Sequence, residues 1–90
     1  MAISYNVVFS KVFYKELRKL SGVHQKAVMK KLLILRGDPF YPSLRSKKLE
    51  GDSELYESSI NMDIRIIWEV EDDNTIMLVD VGHHDILKKY

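Results

Sequence analysis

Apolar residues alternate with polar ones at both ends of this chain and recur at helical spacing between them. Near the start, Ile3, Tyr5, Val7 and Phe9 alternate with Ser4, Asn6 and Ser10, so residues 3–9 read as a strand with one buried face. Ser10 then reads as the N-cap of a helix over about residues 11–20, with Phe13, Leu17 and Leu20 at i, i+4 and i+7. Ser21-Gly22 breaks it. A second helix, roughly Val23 to Arg36, carries Val28, Leu32 and Leu35 at core spacing, and Gly37 with Asp38-Pro39 ends it. The two helices form a hairpin that covers one face of a sheet. After a loop over residues 37–54, Leu55 to Ile60 is a weak strand and Asn61-Met62-Asp63 a turn. Two strong strands follow around a polar turn at Glu71-Asp72-Asp73-Asn74. In the first, Ile64, Ile66, Trp68 and Val70 alternate with Arg65, Ile67 and Glu69; the second, Thr75 to Val81, is apolar enough for the interior of a sheet. The order is β-α-α-β-β-β, an α+β fold with a helical hairpin on one face of a small, largely antiparallel sheet.

Ninety residues suffice for one core, so residues 1–90 are read as a single domain. There is no cysteine, hence no disulfide and no thiolate metal site. No apolar run approaches the ~20 residues of a membrane helix. The N-terminus lacks the zones of a signal peptide, and cytoplasmic residence without membrane contact is expected. Charge is the most informative part of the composition. A net charge of +1 hides a sharp division: residues 1–48 hold eleven Lys/Arg against Glu16 and Asp38, a balance of +9, whereas residues 49–90 hold three against eleven acids, −8. Part of this is internal complementarity, and part is a basic face available to an anionic partner.

The alternation sends Ile64, Ile66, Trp68 and Val70 toward the helices and leaves Arg65, Ile67 and Glu69 on the other, open face. His83 and His84 emerge just beyond the last strand. Periodicity leaves open whether Leu55, Glu57 and Ser59, or Tyr56, Ser58 and Ile60, share the face of Arg65. A guanidinium and an imidazole on one groove suit phosphodiester cleavage in RNA. Imidazole exchanges a proton near neutral pH, guanidinium stabilises the charge of a five-coordinate phosphorus, and RNA brings its own 2′-hydroxyl nucleophile. No metal or cofactor is required, and no pair of residues has zinc spacing.

The element order, the L-x-G turn at Leu49-Glu50-Gly51, Tyr56, the run Asp63-Ile64-Arg65-Ile66-Ile67-Trp68-Glu69-Val70 and the terminal V-G-H-H-D-x-x-K-x-Y from Val81 to Tyr90 together resemble the RelE/ParE superfamily, toxins of bacterial type II toxin–antitoxin systems. The resemblance spans essentially the whole chain. It implies an mRNA interferase, a metal-independent endoribonuclease acting on messenger RNA at the ribosome and so inhibiting translation. It also implies a cognate antitoxin that neutralises the toxin, with operator DNA touched only indirectly, through that antitoxin. Carried over by position, Arg65 matches the phosphate-binding arginine, His84 the general acid after the last strand, and Tyr90 a tyrosine that helps to position a nucleotide. There is one departure. The family's RelE members carry lysines on the second strand, where Tyr56-Glu57-Ser58-Ser59 has none. Glu57 is then the candidate base, and Lys47 and Lys48 the candidate source of positive charge.

Arg65, His84, Glu57 and Tyr90 are thus the expected catalytic residues, and Arg45, Lys47, Lys48, His83 and Lys88 the expected RNA contacts. Trp68 and Tyr56 are read as packing residues, His24 as a surface residue and Asp85 as a cap for the tail. Two rival readings remain: a ParE-like poison that binds DNA gyrase without nuclease chemistry, and a degenerate member that only binds its antitoxin.

Overall fold

A computed structural model of the chain describes residues 4–51 and 54–90. Ile3, the start of the first predicted strand, and Asp52-Ser53 of the loop lie outside them. The elements are β1 (Asn6–Phe9), α1 (Lys11–Lys19), α2 (Gly22–Gly37), β2 (Lys47–Lys48), β3 (Tyr56–Ser59), β4 (Ile64–Val70) and β5 (Thr75–His83). A 3-10 turn (Pro42–Leu44) lies in the loop and a 3-10 segment (His84–Lys89) forms the tail. The predicted α+β order is present. The addition is β2, two residues long and too short to leave an alternation in the sequence.

The five strands form one sheet in the order β1-β5-β4-β3-β2. β1 runs parallel to β5, and the other three pairings are antiparallel. Ser10 caps α1 by accepting a hydrogen bond from Phe13 N (2.9 Å), and Ser21 caps α2 through His24 N (3.2 Å), each satisfying a helix-terminal donor that has no partner within the helix. Phe13 and Leu17 of α1 and Val28, Leu32 and Leu35 of α2 share one buried cluster with Ile64, Ile66, Trp68, Ile76, Leu78 and Val81 of the sheet. Each fully buried aliphatic or aromatic side chain of this kind contributes about 1.5–3 kcal/mol. Trp68 is fully buried, donates Nε1–H to Ser58 Oγ (2.8 Å) and stacks on Tyr56 with ring centroids 4.7 Å apart, so both are packing residues. Val70, predicted on the core face, is 43% exposed because it lies at the strand end.

The second face of the sheet carries the feature that alternation alone could not give. The β4–β5 ladder shifts register between Ile67 and Trp68: Ile67 pairs with Asp80 but Trp68 pairs with Leu78, leaving Val79 as an extra residue. Beyond this bulge the facing of β5 is inverted. Leu78 and Val81 both point into the core, while Asp80 and Gly82 join Ile67 and Arg65 on the other face. The tail crosses that face, touching β4 and β5. Ile86 packs so closely on Gly82 that a Cβ there would overlap its Cγ2 atom, which is why a glycine stands near the end of this strand. Ile67, opposite Asp80, is fully buried although it lies outside the main core cluster.

Candidate functional site

β3 settles the facing that periodicity left open. Glu57 pairs with Ile67 and Ser59 with Arg65, so Glu57 and Ser59 share the face of Arg65, while Ser58 and Tyr56 face the core. Arg65 also pairs with Gly82 on its other side. The ladder therefore assembles Ser59, Arg65, Glu57, Asp80 and the tail residues on a single face.

Arg65 is half-buried and has no acidic partner among the described residues. Its Nη1 donates to the carbonyls of Asn61 (2.7 Å), Met62 (3.2 Å) and Ile64 (3.2 Å), which fixes the guanidinium against the β3–β4 turn without neutralising it. That turn is itself built around Asn61. Its Oδ1 accepts from the backbone N–H of Asp63 and of Ile64, both at 2.8 Å. This leaves Nδ2 as the group that meets His24 Nδ1 at 3.3 Å. The His24 ring also meets His83 edge-on, with centroids 5.8 Å apart. His24 is thus no free surface residue: it ties α2 to the turn that holds Arg65. Sequence reading missed it because its partners lie 37 and 59 positions away.

His84 opens the tail, is exposed, and makes no hydrogen bond, ion pair or ring contact among the described residues. It stands at the sheet end beyond Gly82, the register partner of Arg65, with no hydrogen bond to Arg65 among the described residues. Tyr90 returns to the same face and donates its hydroxyl to Asp80 Oδ2 (2.8 Å). Burial, then this hydrogen bond, then the charge of Asp80 push the Tyr90 phenol up to about 12. Asp80 is 1% exposed, and it also accepts from Val81 N (2.8 Å) and pairs with Lys89 Nζ (3.8 Å). Neither Asp80 nor Lys89 was singled out in the sequence, where Asp80 reads as one polar residue in an apolar strand. The expected cap role of Asp85 is not found: His83 occupies the N-cap position of the tail, with no side-chain hydrogen bond, and Asp85 lies in the first turn.

The expected cations divide into two groups. Lys47 on β2 faces Glu57 (3.6 Å) and Lys48 faces Glu54 (3.8 Å), so each stands beside an acid. Glu57, 7% exposed, is engaged by the same contact. Arg45 has no side-chain partner among the described residues and lines, with Lys31 and Arg65, a groove of about 370 Å³. Lys88 is exposed and unpaired among the described residues, whereas its neighbour Lys89 turns back to Asp80.

No protein-family model matches the chain, and no curated protein is significantly similar to it in sequence. Solved structures are similar. The RelBE2 toxin–antitoxin complex of Mycobacterium tuberculosis superposes with a TM-score of 0.78 at 20% identity, covering 91% of this chain and 93% of that one. The archaeal RelE–RelB complex of Pyrococcus horikoshii OT3 gives 0.75 at 26% identity, covering 90% and 96%. The intact RelBE toxin–antitoxin complex of E. coli gives 0.71 at 25% identity, covering 88% and 95%. The chain adopts the RelE/ParE-like toxin fold over nearly its whole length, and the superfamily resemblance read from its sequence stands.

Proposed function

We propose that this chain is the toxin of a toxin–antitoxin pair and a metal-independent endoribonuclease that cleaves messenger RNA at the ribosome. One observation carries the reading: Arg65 is held by three carbonyls and, among the described residues, left without an acid, on a sheet face that also presents Ser59 and Tyr90 and ends at His84. An arginine anchored but not neutralised keeps its charge for a ligand anion. In the reaction the 2′-oxygen attacks phosphorus, and the bond to the 5′-oxygen breaks. Arg65 stabilises the charge gathered on the phosphoryl oxygens, and the exposed His84, in its protonated form, delivers a proton to the departing 5′-oxygen. The products are a 2′,3′-cyclic phosphate and a free 5′-hydroxyl. Glu57, on this face beside Lys47, receives the 2′-proton once Lys47 moves to the RNA backbone. Tyr90, held on the same sheet face by Asp80, positions the nucleotide.

The partner that restrains this activity is an antitoxin, in keeping with the complexes in which the structural neighbours were solved, and DNA contact runs through that antitoxin. The setting is the cytoplasm. Induced expression of wild type, Arg65→Ala and His84→Ala without antitoxin, with mapping of cellular mRNA 5′ ends, tests the proposal. Arrest with new ends in wild type, and neither in the variants, is the expected result. Arrest with intact mRNA that both variants retain would overturn the nuclease and favour a gyrase poison. Absence of arrest would leave an antitoxin-binding module.

A further inference from the structure

The groove beside Arg65 is lined by Lys31, Ser43, Arg45, Ser59 and Arg65, with Ile60, Asn61 and Met62 completing it and no carboxylate among them. Its three cations come from α2, the loop and β4, elements far apart in sequence. Among the described residues Lys31 Nζ donates only to the Ser43 carbonyl (3.4 Å), the Arg45 side chain makes no hydrogen bond or ion pair, and Arg65 bonds only to carbonyls. Three like charges facing one concavity repel one another, an arrangement relieved by an anion. Arg45 adds a second observation. At φ 49° and ψ 43° it is the non-glycine residue with a left-handed backbone among those described, at the C-terminus of the Pro42–Leu44 turn. Non-glycine residues held in that region cluster at ligand sites. By contrast Lys47 and Lys48, the cations expected to replace the missing β3 lysines, each stand beside an acid.

We infer that Lys31 and Arg45 form a second phosphate subsite, which binds the RNA phosphate next to the one held by Arg65. The inference rests on the nuclease reading for its ligand, but the subsite is a binding device and not part of the proton transfers. Lys31 reaches the phosphate from the helical layer and Arg45 from the loop, while the Ser43 and Ser59 side chains line the groove between them. A strand of RNA then runs from the sheet face across the β3–β4 turn to the C-terminal half of α2.

The test is equilibrium binding of a short, fluorescently labelled 2′-O-methyl oligoribonucleotide, which has no nucleophile and cannot be cleaved. Wild type is compared with Lys31→Ala, Arg45→Gly, Arg45→Lys and, as a control elsewhere on α2, Lys26→Ala. Glycine suits the left-handed backbone at position 45, so Arg45→Gly removes the charge without a folding penalty, and its melting temperature is expected to equal or exceed that of wild type. Lys31→Ala and Arg45→Gly should each weaken binding about 3- to 10-fold and lower the slope of log K against log salt by about 0.7. Arg45→Lys should restore part of the affinity. Equal affinity and slope in wild type, Lys31→Ala and Arg45→Gly would overturn the subsite, as would a loss of equal size in Lys26→Ala. Competition by inorganic phosphate with RNA affinity indifferent to both residues would make the groove a small-anion site and overturn the RNA assignment. Because the probe is uncleavable, a protein that binds it through Lys31 and Arg45 yet cuts no mRNA would sink the nuclease and leave the subsite standing.

Discussion

Asp80 faces the tail because β5 contains one residue more than its partner strand requires. Without the Val79 bulge, continued alternation from Ile76 and Leu78 would put Asp80 into the apolar core, where an unpaired carboxylate is costly. With it, Asp80 meets the Tyr90 hydroxyl, Lys89 and the Val81 N–H. The Tyr90 contact has a pH signature. The phenol ionises at 10.0 when unperturbed and at about 12 here, since burial and the neighbouring carboxylate favour its neutral form. A pKa raised on folding gives stability that is complete below the unfolded value and is lost as pH climbs through the folded one. Tyr90→Phe should therefore cost about 1 kcal/mol at neutral pH, less than the roughly 1.5–3 kcal/mol of a buried hydrogen bond to a charged group because Tyr90 is 43% exposed. The gap between the two proteins should close between pH 10 and 12. Urea titrations at neutral pH and at several points up to pH 12 measure it, and a gap independent of pH would mean that the hydroxyl does not bind Asp80 in solution.

At the scale of elements, Ser10 joins a helix to a strand. Its Oγ accepts from Phe13 N at the start of α1 and donates to the carbonyl of Val79, the bulge residue (2.9 Å). Ser10→Ala removes an N-cap and leaves the bulge carbonyl short of a donor, so a loss of about 1–2 kcal/mol is expected, seen as a lower urea midpoint at unchanged m. Ser10→Thr should recover most of it. A loss under about 0.5 kcal/mol would show that the bulge is held by the sheet alone. The cap itself was legible, as S-x-x ahead of an apolar stripe, and so were both helices and the two long strands, whose periods follow from backbone geometry. The bulge was not legible, because Val79 is as apolar as Leu78 and Val81 and only the pairing with β4 reveals a slip. Nor was the docking of the tail, which is too short to show a period and is placed by Ile86 on Gly82 and Tyr90 on Asp80. The same division holds for the candidate site. Arg65 and His84 stood out by motif, whereas Lys31, Asn61, His24 and Asp80 matter through partners distant in sequence.

Across the whole molecule, the balance of +9 in residues 1–48 and −8 in residues 49–90 is cancelled in few places by direct ion pairs. Among the described residues two ion pairs cross between the halves, Lys47–Glu57 and Lys48–Glu54, both on the β2 side of the sheet. The remaining pairs lie within a half, so the helical layer keeps most of its charge. On α1 this charge is concentrated: Lys11, Lys15, Arg18 and Lys19 border a groove with Phe9 and Tyr14, and the Arg18 guanidinium lies 6.0 Å from the centre of the exposed Tyr14 ring. Net charge is therefore a poor guide to the salt dependence of this protein. A chain of charge +1 with its cations evenly spread would bind RNA with little sensitivity to salt, whereas a segregated one releases counterions locally and binds steeply. Reversing Lys11, Lys15 and Arg18 to Glu should flatten the dependence of RNA affinity on salt by about 0.7 for each phosphate that the helix no longer neutralises. Each exposed substitution should leave folding stability within about 0.5 kcal/mol. Affinity measured from low to physiological ionic strength decides the matter. A slope equal to that of wild type would confine RNA to the sheet face and the Lys31–Arg45 groove, and would assign the basic helix to the acidic surface of a protein partner.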